Sequence, residues 1–353
     1  MAHYFPYLGR LRKVPLAFGL VLLMGCSHPE LVRKGEGSPP AERCGECHVE
    51  IYKEWETSPH ASSFSSEDFK EGTQDYSFKF CLGCHVPESM YVEGEPRPRT
   101  TKLEEGVNCD SCHLTEDCKL AGPLKSRSPH PVGQEYKLYL KSKLCGKCHI
   151  KTFKEWQESA QKDKKTCQHC HMPAVKRKLI QDDPWQRLYR GKDIKRHTFS
   201  PVESASGKLA SERLVRIDLE GLKLVQGEAE GAGGPNFQGK VVVENTSIPH
   251  SLPTGDYGYR EVVLKISLKG PGGDGILIKE ESFFVEMETS LKSGEKRAFC
   301  LSIPRSDLKE NTSLTVELMR KTFQGETKLV LACEEFPLEK EGDGVVTHKK
   351  TSM

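Results

Sequence analysis

A Cys, two residues, a second Cys and then a His recur five times: Cys44–His48, Cys81–His85, Cys109–His113, Cys145–His149 and Cys167–His171. The chain holds 14 Cys and 13 His in 353 residues, so chance gives about 0.02 such matches. Two thiols three positions apart can add across the vinyl groups of one porphyrin, and the imidazole that follows can swing under the iron. Zinc sites and disulfides also use paired Cys, but neither needs a His directly after every second Cys. The pattern predicts five covalent haem c groups. Their thioether anchors are Cys44, Cys47, Cys81, Cys84, Cys109, Cys112, Cys145, Cys148, Cys167 and Cys170. Their proximal iron ligands are His48, His85, His113, His149 and His171.

Setting aside His3, His28 and His348 near the ends, five histidines remain: His60, His130, His169, His197 and His250. Five second axial ligands would close five irons, and a closed bis-His iron moves electrons whereas an open one can bind substrate. His60 follows a short helix in Ser-Pro-His-Ala, where it could equally cap or hydrogen-bond. His130 is set between two prolines, a rigid frame that suits a ligand or a turn. His169 lies inside the fifth motif, so it can reach only a neighbouring haem or solvent. His197 follows a basic run and His250 lies in a Pro-rich loop. Met90 and Met172 are alternative ligands, although Met172 directly follows a proximal His and suits packing.

The elements that must position these groups are short. Ile51, Tyr52 and Trp55 mark one face of a helix after the first motif. The same text returns 101 residues later: Cys44-Gly-Glu-Cys-His-Val-x-x-Tyr-Lys-Glu-Trp matches Cys145-Gly-Lys-Cys-His-Ile-x-x-Phe-Lys-Glu-Trp, and Ser58 matches Ser159. This is an internal duplication of a haem-plus-helix unit. The copies differ where His60 corresponds to Gln161. If His60 is a ligand, another His replaces its lost counterpart or one iron is open. From Lys119 to Arg196 there are 20 Lys and Arg against 7 Asp and Glu. Such a run is a solvated face, a counter-charge to haem propionates, or a face for an acidic redox partner. No nucleic-acid motif accompanies it.

The ends and the second half carry other signals. Arg10, Arg12 and Lys13 precede an apolar stretch, Val14–Met24, too short to span a bilayer. Leu23-Met24-Gly25-Cys26 resembles a bacterial lipobox, which predicts a signal peptide over 1–25, lipidation of Cys26 and a flexible tether over 26–43. The alternative is an ordinary cleaved signal with an incidental Cys. The haem region is expected over 44–204, a β-sandwich domain over 205–340 and a polar tail over 341–353. Strands are expected at Leu214–Leu219, Lys240–Glu244, Glu261–Leu268, Ser282–Met287, Arg297–Ile303, Ser313–Leu318 and Lys328–Ala332. Cys300 and Cys333 could pair as a disulfide in an oxidising compartment, which leaves Cys118 unpaired. The fold class expected is α+β multidomain: a mainly helical or irregular multihaem cytochrome domain, then an all-β sandwich-like domain.

Two stretches carry a family resemblance: Cys44-x-x-Cys-His-x-x-x-Tyr52-x-x-Trp55-x-x-Ser58-x-His60-Ala61, and Cys167-x-x-Cys-His171-Met172-Pro173. Over about residues 40–200 the chain resembles the multihaem cytochromes typified by the tetrahaem cytochrome c-554, which accepts electrons from hydroxylamine oxidoreductase. The chain departs from that family in having a fifth motif, and from pentahaem nitrite reductases in lacking a Cys-x-x-Cys-Lys motif. A second resemblance lies in Asn245…His250-x-x-Pro253-Thr254-Gly255…Arg260, similar to a loop of β-domains fused to multihaem cytochromes, with Pro249 where that loop has Gly. The resemblance implies that His250 reaches back to a haem. The expected function is electron transfer by an exported, lipid-anchored cytochrome, between a redox donor and acceptor, on the periplasmic side of the envelope or at the cell surface. The alternative is an oxidoreductase with one open haem acting on a small nitrogen or sulfur oxide.

Overall fold

The computed structural model describes residues 39–91, 93–124, 128, 130–133, 137–181, 190–200, 214–225, 236–270, 272, 275–309, 311–322, 325–341 and 345–348. The expected signal peptide over 1–25, Cys26, the tether up to 38 and the boundary near 204 lie outside the described residues. No described helix is long and apolar enough to cross a membrane.

The first part is built from short helices joined by irregular chain. They are α1 (Ala41–Gly45), α2 (Val49–Glu56), α3 (Glu67–Gly72), α4 (Leu82–His85), α5 (Cys109–His113), α6 (Ile150–Glu158) and α7 (Cys167–His171). Their ends are set by local chemistry. The Ser66 hydroxyl accepts from the Phe69 N–H at the start of α3, and the Asn108 carboxamide oxygen accepts from the Ser111 N–H at the start of α5. Each side chain thereby satisfies an amide that the helix itself leaves unpaired.

The helix α2 turns Trp55 inward against Ala41 and Ala61, with Tyr52 packed alongside. This is a small apolar cluster for the part of the chain that carries all five motifs. A segment of that length needs more apolar volume to hold together than these residues supply.

A two-stranded hairpin, β1 (Ala174–Arg177) with β2 (Lys192–Lys195), closes the haem region. It was not expected from sequence, because its residues are mostly charged and only Val175 and Ile194, which pair directly, mark its apolar side. The hairpin carries Arg177 back to α2.

The second part is one antiparallel eight-stranded sheet in the order β6-β5-β8-β9-β10-β3-β4-β7. Its strands are β3 (Val215–Val225), β4 (Asn236–Asn245), β5 (Glu261–Lys269), β6 (Gly275–Phe284), β7 (Lys296–Pro304), β8 (Thr312–Lys321), β9 (Thr327–Glu341) and β10 (Val345–His348). The sheet curls until its end strands, β6 and β7, approach one another. Inward side chains from most strands, among them Ile217, Val241, Leu264, Ile303, Leu314 and Phe336, fill one core. Strand β3 shows how the sequence keeps that face buried. Val215, Ile217 and Leu219 point in at odd positions, a bulge at Gly221 (φ +64°) adds a residue, and Leu222 then points in at an even one.

Two expectations for this part are corrected. The run Ser282–Met287 belongs to a strand only through Phe284; the strand begins at Gly275, and Val285–Glu288 turn away from the sheet. Residues 341–353, read as a polar tail, contribute Glu341 to β9 and Val345–His348 as β10, which pairs with β9 and β3.

Candidate haem sites

Each motif is wound into about one helical turn. In the first and fourth, the His48 and His149 amides donate to the Cys44 and Cys145 carbonyls at 2.9 and 3.0 Å. The second, third and fifth are α4 (with the turn before it), α5 and α7. The coil brings two thiols and one imidazole to the same side of the backbone.

The imidazoles are oriented from behind. His48 Nδ1 lies 2.9 Å from the Leu179 carbonyl, His85 Nδ1 2.6 Å from that of Ser63, and His113 Nδ1 2.6 Å from that of Ala121. An Nδ1–H that donates to a carbonyl fixes the tautomer and leaves Nε2 as the free lone pair. The same arrangement holds for His197 with Lys195 (3.0 Å) and His250 with Ser251 (3.0 Å).

Three of the expected distal histidines face a motif histidine across a gap of nearly constant width. His60 and His149 have ring centroids 6.2 Å apart, His197 and His113 6.3 Å, and His250 and His171 6.3 Å, with interplanar angles of 35°, 34° and 29°. Two imidazoles on one metal, each bonded at about 2 Å with a centroid about 1.1 Å behind its nitrogen, stand about 6.2 Å apart. The gaps therefore fit an iron between each pair. Covalent haem, held by these motifs, would also supply the apolar volume that this region lacks. Burial, reinforced by neighbouring histidines, pushes His60 down to about 3, and burial first of all pushes His171 and His197 to about 4. These rings are neutral, which is the form that binds a metal.

The other two candidates differ. His130 is close enough to His48 for that neighbour's charge to add to the effect of burial in lowering its pKa. Among the described residues the ring contacts place no imidazole opposite it at the 6.2–6.3 Å spacing. His169 is exposed on α7, and among the described residues no ring contact pairs it with a motif histidine. Among the described residues no imidazole stands opposite His85 either; the Phe69 ring is stacked on it at 3.8 Å and 14°.

The duplication explains part of this pattern. His60, from the first copy, faces His149 of the second. By the same symmetry the position of Gln161 corresponds to a partner for His48, and it is His48 that His130 approaches.

Contacts between motifs link the sites. Cys44 lies beside Cys109, Cys84 beside Cys148 and Cys145 beside Cys167, each pair close enough for one thiol to shift the titration of the other. The first motif thus abuts the third, the second the fourth, and the fourth the fifth.

His250 arrives from the β-domain. Asn245, fully buried at the end of β4, donates from Nδ2 to the His250 carbonyl (3.0 Å) and accepts from the Ile248 N–H (3.1 Å). The loop then lies on α6: the Lys151 N–H donates to Asp256, and the Thr152 and Thr254 hydroxyls are 3.0 Å apart. His60 is pinned by the Val107 N–H, which donates to its carbonyl at 2.9 Å. Gly106 makes that approach possible: its φ is +55° and a Cβ there would fall 2.3 Å from the same carbonyl.

The structure does not bring Cys300 and Cys333 together. Both are exposed and free. They face away from the core on β7 and β9, which are four strands apart in either direction round the curled sheet. A disulfide needs Cα atoms within about 7 Å, whereas four strand steps of about 4.8 Å each put the two strands on opposite sides of the curled sheet, with its core between them. Cys118 is also free.

Sequence reasoning missed the polar groups that hold these loops. Arg177 makes two bonds to Glu54 (2.8 and 2.7 Å), and Glu54 accepts from the His197 N–H at 2.9 Å. Glu155 accepts from the Ser251 N–H at 2.9 Å and the Thr254 hydroxyl at 2.8 Å. The available signal was the Lys-Glu-Trp shared by both copies of the repeat.

The motifs, the paired imidazoles and the two-part fold define a multihaem c-type cytochrome with a C-terminal β-domain. Residues 43–114 match the family model described as Cytochrome c554 and c-prime. Among solved structures, a penta-heme cytochrome c552 from Thermochromatium tepidum matches at 17% identity and a TM-score of 0.57, over 85% of this chain and 98% of that one. At that identity the likeness speaks for the fold. The putative ApaA protein from Bordetella pertussis matches 34% of this chain and 89% of its own at 11% identity, but its TM-score of 0.20 carries no argument. No curated protein sequence matches.

Proposed function

We propose that this cytochrome is an electron carrier with five haem c groups, held by the ten motif cysteines and five motif histidines, most of its irons being closed by a second histidine. The observation that supports this best is the set of three imidazole pairs at 6.2–6.3 Å. Bound haem c supplies one-electron chemistry at its iron. The protein's part is positional. Carbonyl acceptors turn the Nδ1 of His48, His85, His113, His197 and His250 away from where an iron would sit, burial keeps His60, His171 and His197 neutral, and the adjacency of the cysteines would string the haems in the order first–third and second–fourth–fifth. The charge of the 119–196 stretch would balance propionates and offer a face to an acidic donor or acceptor. The expected signal and lipobox at Cys26 are the basis for an exported, lipid-anchored protein on the periplasmic side of the envelope or at the cell surface.

A second reading has one specific support. His85 carries a stacked phenyl ring and, among the described residues, no facing imidazole. An iron on His85 would keep a position for a small nitrogen or sulfur oxide, making the protein an oxidoreductase. Carbon monoxide binding by the reduced holoprotein separates the readings. A carrier with every iron closed binds none and shows only low-spin signals. Uptake of about one equivalent, with one high-spin haem signal in the oxidised protein, supports one open iron; uptake of several equivalents would sink the proposal that most irons are closed.

A further inference from the structure

We infer that Glu54 and Glu155 are one device used twice: a carboxylate on the helix following one motif that fixes the distal-histidine loop of a neighbouring haem. The inference rests on reading His197 and His250 as distal ligands.

The two glutamates occupy the same place in the duplicated unit, six residues after His48 and six after His149. Each uses Oε2 to accept a backbone N–H, at 2.9 Å in both cases. Glu54 takes that of His197 itself, and Glu155 that of Ser251, the residue after His250. The next residue in each helix is a tryptophan, and the tryptophans also act alike. Trp55 donates from Nε1 to the Val107 carbonyl at 2.8 Å, and Trp156 to the Lys165 carbonyl at 2.7 Å. Both carbonyls lie two residues before a motif, at Cys109 and at Cys167.

The histidines follow the same plan. His113, in the motif gripped by Trp55, faces His197, whose backbone Glu54 grips. His171, in the motif gripped by Trp156, faces His250, whose loop Glu155 grips. One helix therefore holds both sides of a haem that it does not itself carry. Adjacent Trp and Glu side chains leave a helix about 100° apart, so one can reach the proximal segment while the other reaches the distal one. An ionised carboxylate suits the distal side because its bonds to N–H and O–H donors are short and strong.

Glu54 could be viewed as only the partner of Arg177. Glu155 argues against this: among the described residues no arginine pairs with it, yet it makes the same bond. The two acceptors are positioning residues for the axial imidazoles.

The test uses the haem-loaded full chain and the second copy, where no buried arginine complicates the change. His250→Ala sets the scale: it should create one more high-spin, carbon monoxide-binding haem. Glu155→Ala should raise the same signals by a smaller amount, Glu155→Gln, which keeps an acceptor oxygen, should restore the low-spin state, and Glu155→Ala should add nothing in a His250→Ala background. Thr254→Val, a milder change that removes one of Glu155's two donors, should move the signals in the same direction even if Glu155→Ala fails to fold. If His250→Ala is high-spin while Glu155→Ala and Thr254→Val both match the parent, the positioning role is wrong. If Glu155→Ala raises the high-spin signal as much without His250 as with it, the carboxylate acts elsewhere, which also overturns the role. An unchanged His250→Ala spectrum would instead remove the ligand reading.

Discussion

The buried pair Glu54–Arg177 offers a stability test with a calculable size. Their side chains are only 16% and 9% exposed, and they meet through two bonds of 2.8 and 2.7 Å. Truncating one member of such a pair leaves the other as an uncompensated buried charge, at about 3–5 kcal/mol. Glu54→Ala also removes the acceptor of the His197 N–H, about 1 kcal/mol more. Glu50 offers partial relief, since its carboxylate lies 3.6 Å from Arg177, but it is 53% exposed and its pull is screened. A net loss of about 3–5 kcal/mol is therefore expected for Glu54→Ala. With a urea slope of about 2 kcal/mol per molar, the midpoint should fall by about 1.5–2.5 M. The assay is urea unfolding followed in the haem absorption bands, which report the haem region separately from the β-domain. Arg177→Ala and the double variant complete a cycle, and the double should cost clearly less than the sum of the singles. A Glu54→Ala midpoint within about 0.3 M of the parent, or strict additivity, would refute the claim that this pair holds the hairpin β1–β2 to α2.

Two further outcomes are expected. Cys300 and Cys333 should both react with a maleimide in native protein without reductant, read by mass; protection of both, reversed by reduction, would restore the disulfide. Burial tends to raise the pKa of Glu295, but bonds from the Lys292 N–H (2.8 Å) and the Arg297 guanidinium (2.9 and 2.6 Å) outweigh it, and the net shift is downward. Its stabilisation is thus complete above the unfolded carboxyl value of about 4.3 and is lost as pH falls through the lower folded value. Glu295→Gln should flatten the acid limb of β-domain stability, and an unaltered limb would count against that assignment.

The motifs, the duplication and the strand-rich second half were legible because each is written in local spacing. The choice of which histidine faces which was not. His60 faces His149 and His250 faces His171, partners distant in sequence that are brought together only by tertiary folding. Gln161 drew suspicion as the mark of an open iron, since sequence shows a lost histidine but not the iron it would have faced. The hairpin β1–β2 was hidden by its charged composition, and its purpose emerges only when Arg177 is seen against Glu54. The Cys300–Cys333 pairing failed because a count of leftover thiols ignores the direction in which a strand points them.

The loop at His250 also has a meaning in time. Domains fold broadly in the order in which the chain emerges. Every cysteine motif precedes the β-domain, so all ten motif thiols can be modified before Asn245, Glu155 and the loop between β4 and β5 can meet. On the ligation proposed above, the site of His171 receives its second imidazole last, from a domain that must first close its own sheet. Biogenesis would then pass through a stage with haem attached and that iron exposed. Arrival of the β-domain would mark the end of maturation, and a chain cut short after residue 204 would stay permanently at that stage.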